Sequence, residues 1–425
     1  MVSLVLFGSF ALFLILNLPI GIALGLSSVA AIYYSGSINV NYLYTSLVSS
    51  SDSFPLMAVP FFILAGELMG KGGISKRLLN VANMLVGRYT GGLALVTIAA
   101  CMFFAAISGS GPATVAAIGG LVYPTMIKMG YDKKFSAALI ATAGSIGVMI
   151  PPSIPMVIYS ISTENSISEL FLAGFLPGIL VGLGLMIWAY IYSKKKGYHG
   201  TQEKFVLKDF LKTVYDAKWA LIVPVIILGG IYGGVFTPTE AAAVAVAYGF
   251  IVGVYVYKDL KLKEVYSVLK ATVLTTGSVM IILGTASAFG RILTIEKIPV
   301  MIANAITSVS TNQFVILLLI NTLLLIIGCF METIAAIIIL SPILLPIVVQ
   351  VGVDPIHFGI IMVVALAIGF ITPPLGINLF VACGISEISL EEISKGIIPW
   401  LIVMISILLL LSFIPQISLL LPNIF

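Results

Sequence analysis

PTMIKMGYD (124–132) and PIVVQVGVD (346–354) align at a shift of 222 residues, with Pro, Gly and Asp coinciding. The register runs on without a gap: Gly147 falls on Gly369, Pro151 and Pro152 on Pro373 and Pro374, Glu169 on Glu391, Gly174 on Gly396, and Pro177 on Pro399. Chain-breaking residues rarely coincide in such numbers by accident, and self-similarity at a fixed shift is the mark of internal duplication. The chain therefore reads as two copies of one unit, residues 1–194 and 219–425, joined by a basic stretch at 195–218.

What surrounds the repeat is apolar. Hydrophobic residues make up 60% of the 425, charged residues only 9%. The apolar residues come in runs of about 20, the length that crosses a bilayer. The fold class is an all-α polytopic membrane protein. Each copy reads as five crossings, near 2–16, 18–34, 54–70, 135–162 and 168–193, then near 219–235, 239–257, 267–290, 356–386 and 393–422. An odd number of crossings turns the second copy upside down relative to the first. Cytoplasmic loops are enriched in Lys and Arg. Placing the seven lysines of Lys194 to Lys218 inside leaves only Arg291 and Lys297 outside, and puts both termini in the periplasm. The N-terminal run has no Lys or Arg before Lys71, so it lacks a signal peptide's basic region and is expected to stay as a helix. The net charge of +4 is a topology signal, with no nucleic-acid partner implied. Cys101, Cys329 and Cys383 sit in apolar runs and read as packing residues, without metal spacing.

Two segments resist a plain crossing. Residues 91–128 carry basic residues near both ends and are interrupted at AISGSGPATVAA (106–117), which suggests a re-entrant hairpin from the cytoplasm. The matching segment, 313–350, breaks at GCFMETIA (328–335) and would enter from the periplasm. Amphipathic arm helices are expected at 74–87 and 296–308, and broken helices at 135–162 and 356–386.

In GVMIPPSIP (147–155) and ITPPLGI (371–377), each proline lacks the N–H that would bond the carbonyl four residues earlier. The oxygens of Gly147, Val148, Pro151, Gly369 and Phe370 are thereby expected to lose their helical partners. Each proline pair alone reads as a kink relieved by hydroxyls or water. Two pairs at equivalent positions, each beside a glycine-rich hairpin break, read as a central binding site. Carbonyl and hydroxyl oxygens suit a small hard cation, with Ser108, Ser110, Ser145 and Ser153 in one copy and Thr333 and Thr372 in the other. The half-helix beginning at Pro112 would offer its positive end to a carboxylate. Glu332 lies within the second break, where it either ligates a cation, organises substrate, or caps the half-helix. Asp52 reads equally as an N-cap or a functional acid. Thr237 and Glu240 have capping-box spacing around Pro238. His199 and His357 belong to no metal or catalytic cluster, and neither HExxH nor GxxxxGK occurs.

SGSGPATVAAIG, GVMIPPSIPMVIY, YGGVFTPTEAAAVAV, FMETIAAIIILSPILLPI and ITPPLGINLF together resemble the large membrane subunit of TRAP transporters, the DctM-like family, through nearly the whole chain. The resemblance implies sodium-driven import of an organic acid by an elevator movement. It further implies two partners, a small four-helix membrane subunit and a periplasmic substrate-binding protein, within the lipid bilayer of a bacterial inner membrane. Carried onto this sequence, sodium would sit among Ser108, Ser110, Gly147, Val148 and Pro151, and among Gly328, Glu332, Gly369 and Thr372. Substrate would lie near Ser110, Ser153 and Glu332. Many members carry Asp where this chain has Glu332. Overall similarity points to the sialic-acid branch. The rival readings are a sodium/dicarboxylate symporter that needs no binding protein and, from another class, an intramembrane enzyme.

Overall fold

Asp132 and Asp354, which close the two aligned motifs, each start a helix. The Asp132 carboxylate accepts the Phe135 N–H at 2.8 Å, and Asp354 accepts those of Ile356 and His357 at 2.8 and 3.1 Å. Such caps satisfy N–H groups that the helix cannot. The computed structural model describes residues 1–36, 41, 45, 47–49, 52–200, 206–302 and 312–424. Among these residues there are helices and no strand.

The helices are, in order, α1 (Val2–Ile15), α2 (Ile20–Ser35), α3 (Phe54–Lys71), α4 (Ile74–Val86), α5 (Gly92–Ser108) and α6 (residues 111–128, with a π turn over Val115–Gly119). Next come α7 (Lys133–Ser145), α8 (Ile154–Thr163), α9 (Ile167–Lys196), α10 (Leu207–Tyr232), α11 (Pro238–Val256) and α12 (Leu262–Ile295). The rest are α13 (Gln313–Gly328), α14 (Thr333–Gln350), α15 (Pro355–Gly369), α16 (Ile377–Ser386) and α17 (Leu390–Phe413), followed by one turn at Gln416–Leu419.

Seven of these, α3, α9, α10, α11, α12, α14 and α17, are long and apolar enough to cross a membrane. The sequence suggests ten crossings. The gap arises because α1 and α2 hold 14 and 16 residues and because two of the expected crossings are split in half, into α7–α8 and α15–α16. α14, read from sequence as a hairpin arm, is itself 18 residues long.

Other boundaries also differ. α10 begins at Leu207, inside the stretch read as a loop, because Leu207, Leu211 and Tyr215 recur every fourth residue and share one face despite the lysines between them. α12 runs over 34 residues, and helix resumes only at Ile298; residues 303–308 of the second expected arm lie outside the described residues. The first expected arm is α4.

The broken helices form the centre. Every residue of α15 from Ile356 to Gly369 is buried, as is every residue of α7 from Phe135 to Ser145. Lipid supplies little hydrophobic drive for helix association, so close approach of small residues is what holds such a centre. A Cβ on Gly147 would collide with the Ser110 carbonyl, and one on Gly369 with the Gly328 carbonyl. Each hairpin tip thus rests on the break of its own half. Outside this core, α3 packs on α11, and α12 packs on α2 and α3. α4 bridges the two groups, lying against both α5 and α10.

Candidate functional site

Ser110 and Glu332 stand 222 residues apart and do the same local job. The Ser110 hydroxyl accepts the Ala113 N–H at 3.5 Å, and the Glu332 carboxylate accepts that of Ala335 at 3.1 Å. Each caps the second arm of its hairpin, so the N-terminal end of that arm, with its partial positive charge, faces the interior. The repeat continues through the following elements. Both Pro151–Pro152 and Pro373–Pro374 peptide bonds are cis, and Glu164 and Glu387 both end a half-helix in the left-handed conformation. Ser166 and Ser389 cap the next helices through the N–H groups of Glu169 and Glu392, so in this stretch the matching positions lie 223 residues apart and Glu169 corresponds to Glu392 instead of Glu391, one extra residue lying in the turn between Pro374 and the cap at Gly376.

The breaks are sewn together, and this changes the carbonyl count expected from the prolines. Ser153 donates its hydroxyl to the Val148 oxygen at 2.6 Å. The Gly369 oxygen accepts Thr372 N–H at 3.1 Å, and the Phe370 oxygen accepts Asn378 N–H at 3.0 Å. A turn closes over the second proline pair, so three of the five carbonyls are occupied. Those of Gly147 and Pro151 receive no hydrogen bond among the described residues. At the first hairpin tip, Thr114 donates its hydroxyl to the Ser110 oxygen at 2.8 Å and lies 2.9 Å from the Ser108 hydroxyl. The Gly109 oxygen accepts Ile154 N–H at 3.3 Å, which pins that tip to α8.

Two cavities meet at Glu332. The larger, of about 400 Å³, is lined by Ser108, Ser110, Val148 and Glu332 together with Glu67 and Thr275. The smaller, of about 280 Å³, is lined by Gly328, Glu332 and Gly369. Of the residues singled out by sequence, these are brought to open space. Gly147, Pro151, Ser153 and Thr372 line neither cavity: the first three are buried beneath the first tip, and Thr372 donates to the Ile368 oxygen at 2.8 Å. Ser145 is buried and accepts a side-chain hydrogen bond from Asn378. Thr333 is the first residue of α14 and is buried.

Sequence reasoning missed two polar residues here. Asn378, wholly buried at the start of α16, donates its amide to the Ala141 oxygen at 3.0 Å and the Ser145 hydroxyl at 3.1 Å, tying the halves together. Its Oδ1 has no partner. A lone Asn in the apolar run GINLF was the available signal. Glu67 lies in AGELMGK near the end of α3, where Lys71 four residues on makes it read as a helix-end pair. Lys71 instead donates to Ser267 at 3.2 Å, leaving Glu67 on the cavity wall. Asp52 is exposed, and the Thr237–Glu240 capping box forms as expected.

Among the described residues that line the larger cavity there is no Lys, Arg or His, and the acidic ones are Glu67 and Glu332. Such a set is suited to holding a cation, or an anion accompanied by one.

This arrangement belongs to a membrane carrier. The chain matches the family described as "Tripartite ATP-independent periplasmic transporter, DctM component" over residues 7–417, and it belongs to that family. It is similar to the isethionate TRAP transporter permease DctMQ of Oleidesulfovibrio alaskensis, at 54% identity over 97% of this chain. It spans 65% of that relative's length. The C4-dicarboxylate TRAP large permease DctM of Pseudomonas aeruginosa is 44% identical over 94% of both chains. The sialic acid TRAP large permease SiaM of Vibrio cholerae is 39% identical over 96% of each. The fold resembles the crystal structure of the Alcanivorax borkumensis YdaH transporter, with a TM-score of 0.63 at 14% identity over 89% of this chain and 88% of that one. The family is a permease component, which sets the enzyme reading aside, and with the seven candidate spans it marks a multi-pass inner-membrane protein.

Proposed function

We propose that this chain is the large permease of a sodium-coupled TRAP transporter that imports a small organic acid. The observation that carries the reading is the convergence of both hairpin tips on one cavity whose ionisable groups are Glu67 and Glu332. An organic anion there meets like charge, at a cost of about 4 kcal/mol per pair at 4 Å for an effective dielectric near 20. A co-bound cation offsets that cost, and this is the physical root of coupling. The donors fit sodium: Ser108 and Ser110 hydroxyls, the Gly147 and Pro151 carbonyls and, in the other half, Glu332 are all hard oxygen ligands. The substrate carboxylate would face the N-terminal end of α14 at Glu332 and that of α6 at Ser110. Ser153, whose hydroxyl is already committed to Val148, would orient the turn.

In this reading the hairpins and broken helices move together as an elevator against α2, α3, α11 and α12, with both termini in the periplasm. A small four-helix membrane subunit and a periplasmic binding protein complete the assembly, as the family's description and relatives suggest. An N-terminal tag reached only from the cytoplasm would reverse the orientation.

Uptake into proteoliposomes holding this chain and its small subunit tests the whole. Isethionate, a C4-dicarboxylate and sialic acid are presented in parallel, under sodium or potassium gradients, with and without the cognate binding protein. Uptake of one acid that needs both sodium and the binding protein is expected. Uptake indifferent to sodium would remove the cation site, and uptake without the binding protein would favour the dicarboxylate-symporter alternative.

A further inference from the structure

Away from the central cavity, a second hollow of about 480 Å³ opens where α4 meets α10 and the end of α11. Its lining includes Lys76 and Arg77 from α4, Asp216 and Lys218 from α10, and Tyr257 and Asp259 just beyond α11. Arg77 is fixed in place. It pairs with Asp259, donates to the Gly73 oxygen at 2.9 Å, and lies 3.5 Å above the Tyr257 ring. The Tyr257 hydroxyl in turn donates to the Asp216 oxygen at 3.3 Å and accepts the Ala220 N–H at 3.2 Å. Lys218 lies 3.7 Å above the Tyr215 ring, and Lys76 has no hydrogen bond or ion pair among the described residues. With Arg77 matched by Asp259, two lysines stand against the single carboxylate of Asp216.

The rim is apolar. On α10, Leu207, Leu211, Tyr215, Ile222 and Val225 are exposed in one stripe that runs past the hollow along the membrane-spanning part of the helix. A ligand that fills both parts has an anionic, hydrogen-bonding head and hydrocarbon tails. Basic pockets between membrane helices recognise phosphate headgroups in this way. Lys218 and Arg77 lie over the Tyr215 and Tyr257 rings, which takes from a choline head two aromatic faces that could cage it. We propose that the hollow between α4 and α10 binds the phosphate headgroup of an anionic phospholipid, whose acyl chains lie along the Leu207–Tyr232 helix. The site joins α4 to α10, so on the proposed elevator reading bound lipid would set how freely α4 shifts.

Native mass spectrometry of the intact chain, released from micelles mixed with phosphatidylglycerol or phosphatidylcholine, tests this without any transport step. Phosphatidylglycerol is expected to be retained about tenfold better, since each lysine near such a headgroup contributes about 1 kcal/mol. The double variant Lys76→Gln, Lys218→Gln should lose that preference, while Lys263→Gln, outside the hollow, keeps it and shows that lost surface charge alone is not the cause. Equal retention of both lipids, or an undiminished preference in the double variant, overturns the proposal. Displacement of the lipid by millimolar inorganic phosphate would assign the hollow to a soluble anion instead. Exclusion of the lipid by the co-expressed small subunit would assign it to that protein.

Discussion

Ser110 and Glu332 hold corresponding positions in the two halves, yet one is a neutral hydroxyl and the other a carboxylate, and their surroundings differ to match. The first break is sealed: residues 143–160 are buried without exception, and its tip is bonded to α8 through Gly109 and Ile154. The second break is open, with Pro374 exposed and Leu375 48% exposed beside the smaller cavity. Both caps line the larger cavity, so the difference lies in the breaks beneath them and in the smaller cavity, which Glu332 lines and Ser110 does not. The carboxylate sits where two cavities give water or a cation access to it. The two halves thus share one local geometry, with a hydroxyl cap at one tip and a carboxylate cap at the other.

Breaking that asymmetry at its charged end gives the largest expected effect. Glu332→Gln keeps an oxygen able to cap Ala335 but removes the charge, so uptake should fall about tenfold or more with folding retained. Uptake at the parent level, measured in the same proteoliposomes, would leave Glu332 a cap and no more. Next are the glycines. Gly147→Ala and Gly369→Ala each force a methyl group against a tip carbonyl and should destabilise by about 1–3 kcal/mol. If the second break is the more yielding, thermal unfolding will show a larger loss for Gly147→Ala; equal losses would argue that openness confers no give. Asn378→Leu removes the amide that ties α16 to α7 and should cost about 1–3 kcal/mol through the unpaired Ser145 and Ala141 groups. An unchanged unfolding midpoint would mean that the halves are held by packing alone. The smallest effect belongs to the neutral cap. Ser110→Ala should raise the sodium concentration for half-maximal uptake a few-fold while stability falls by about 1 kcal/mol. A sodium dependence matching the parent's would take Ser110 off the ligand set.

Much of this was legible in the chain. Prolines and glycines act locally, through a missing N–H or a missing Cβ, so their spacing marked the interruptions within 106–117 and 328–335 and at both proline pairs. Apolar run length marked the membrane, though it counted crossings and not helices, and the lysines around Leu207 hid the first turns of α10. Local chemistry could not show which carbonyls stay unpaired, because the partners of Val148, Gly369 and Phe370 depend on how each turn closes. Nor could it bring Glu67, from the third helix, to the cavity that Glu332 lines. That meeting, the joining of α16 to α7 through Asn378, and the hollow between α4 and α10 all depend on residues far apart in sequence, whose contacts exist only once the helices have packed.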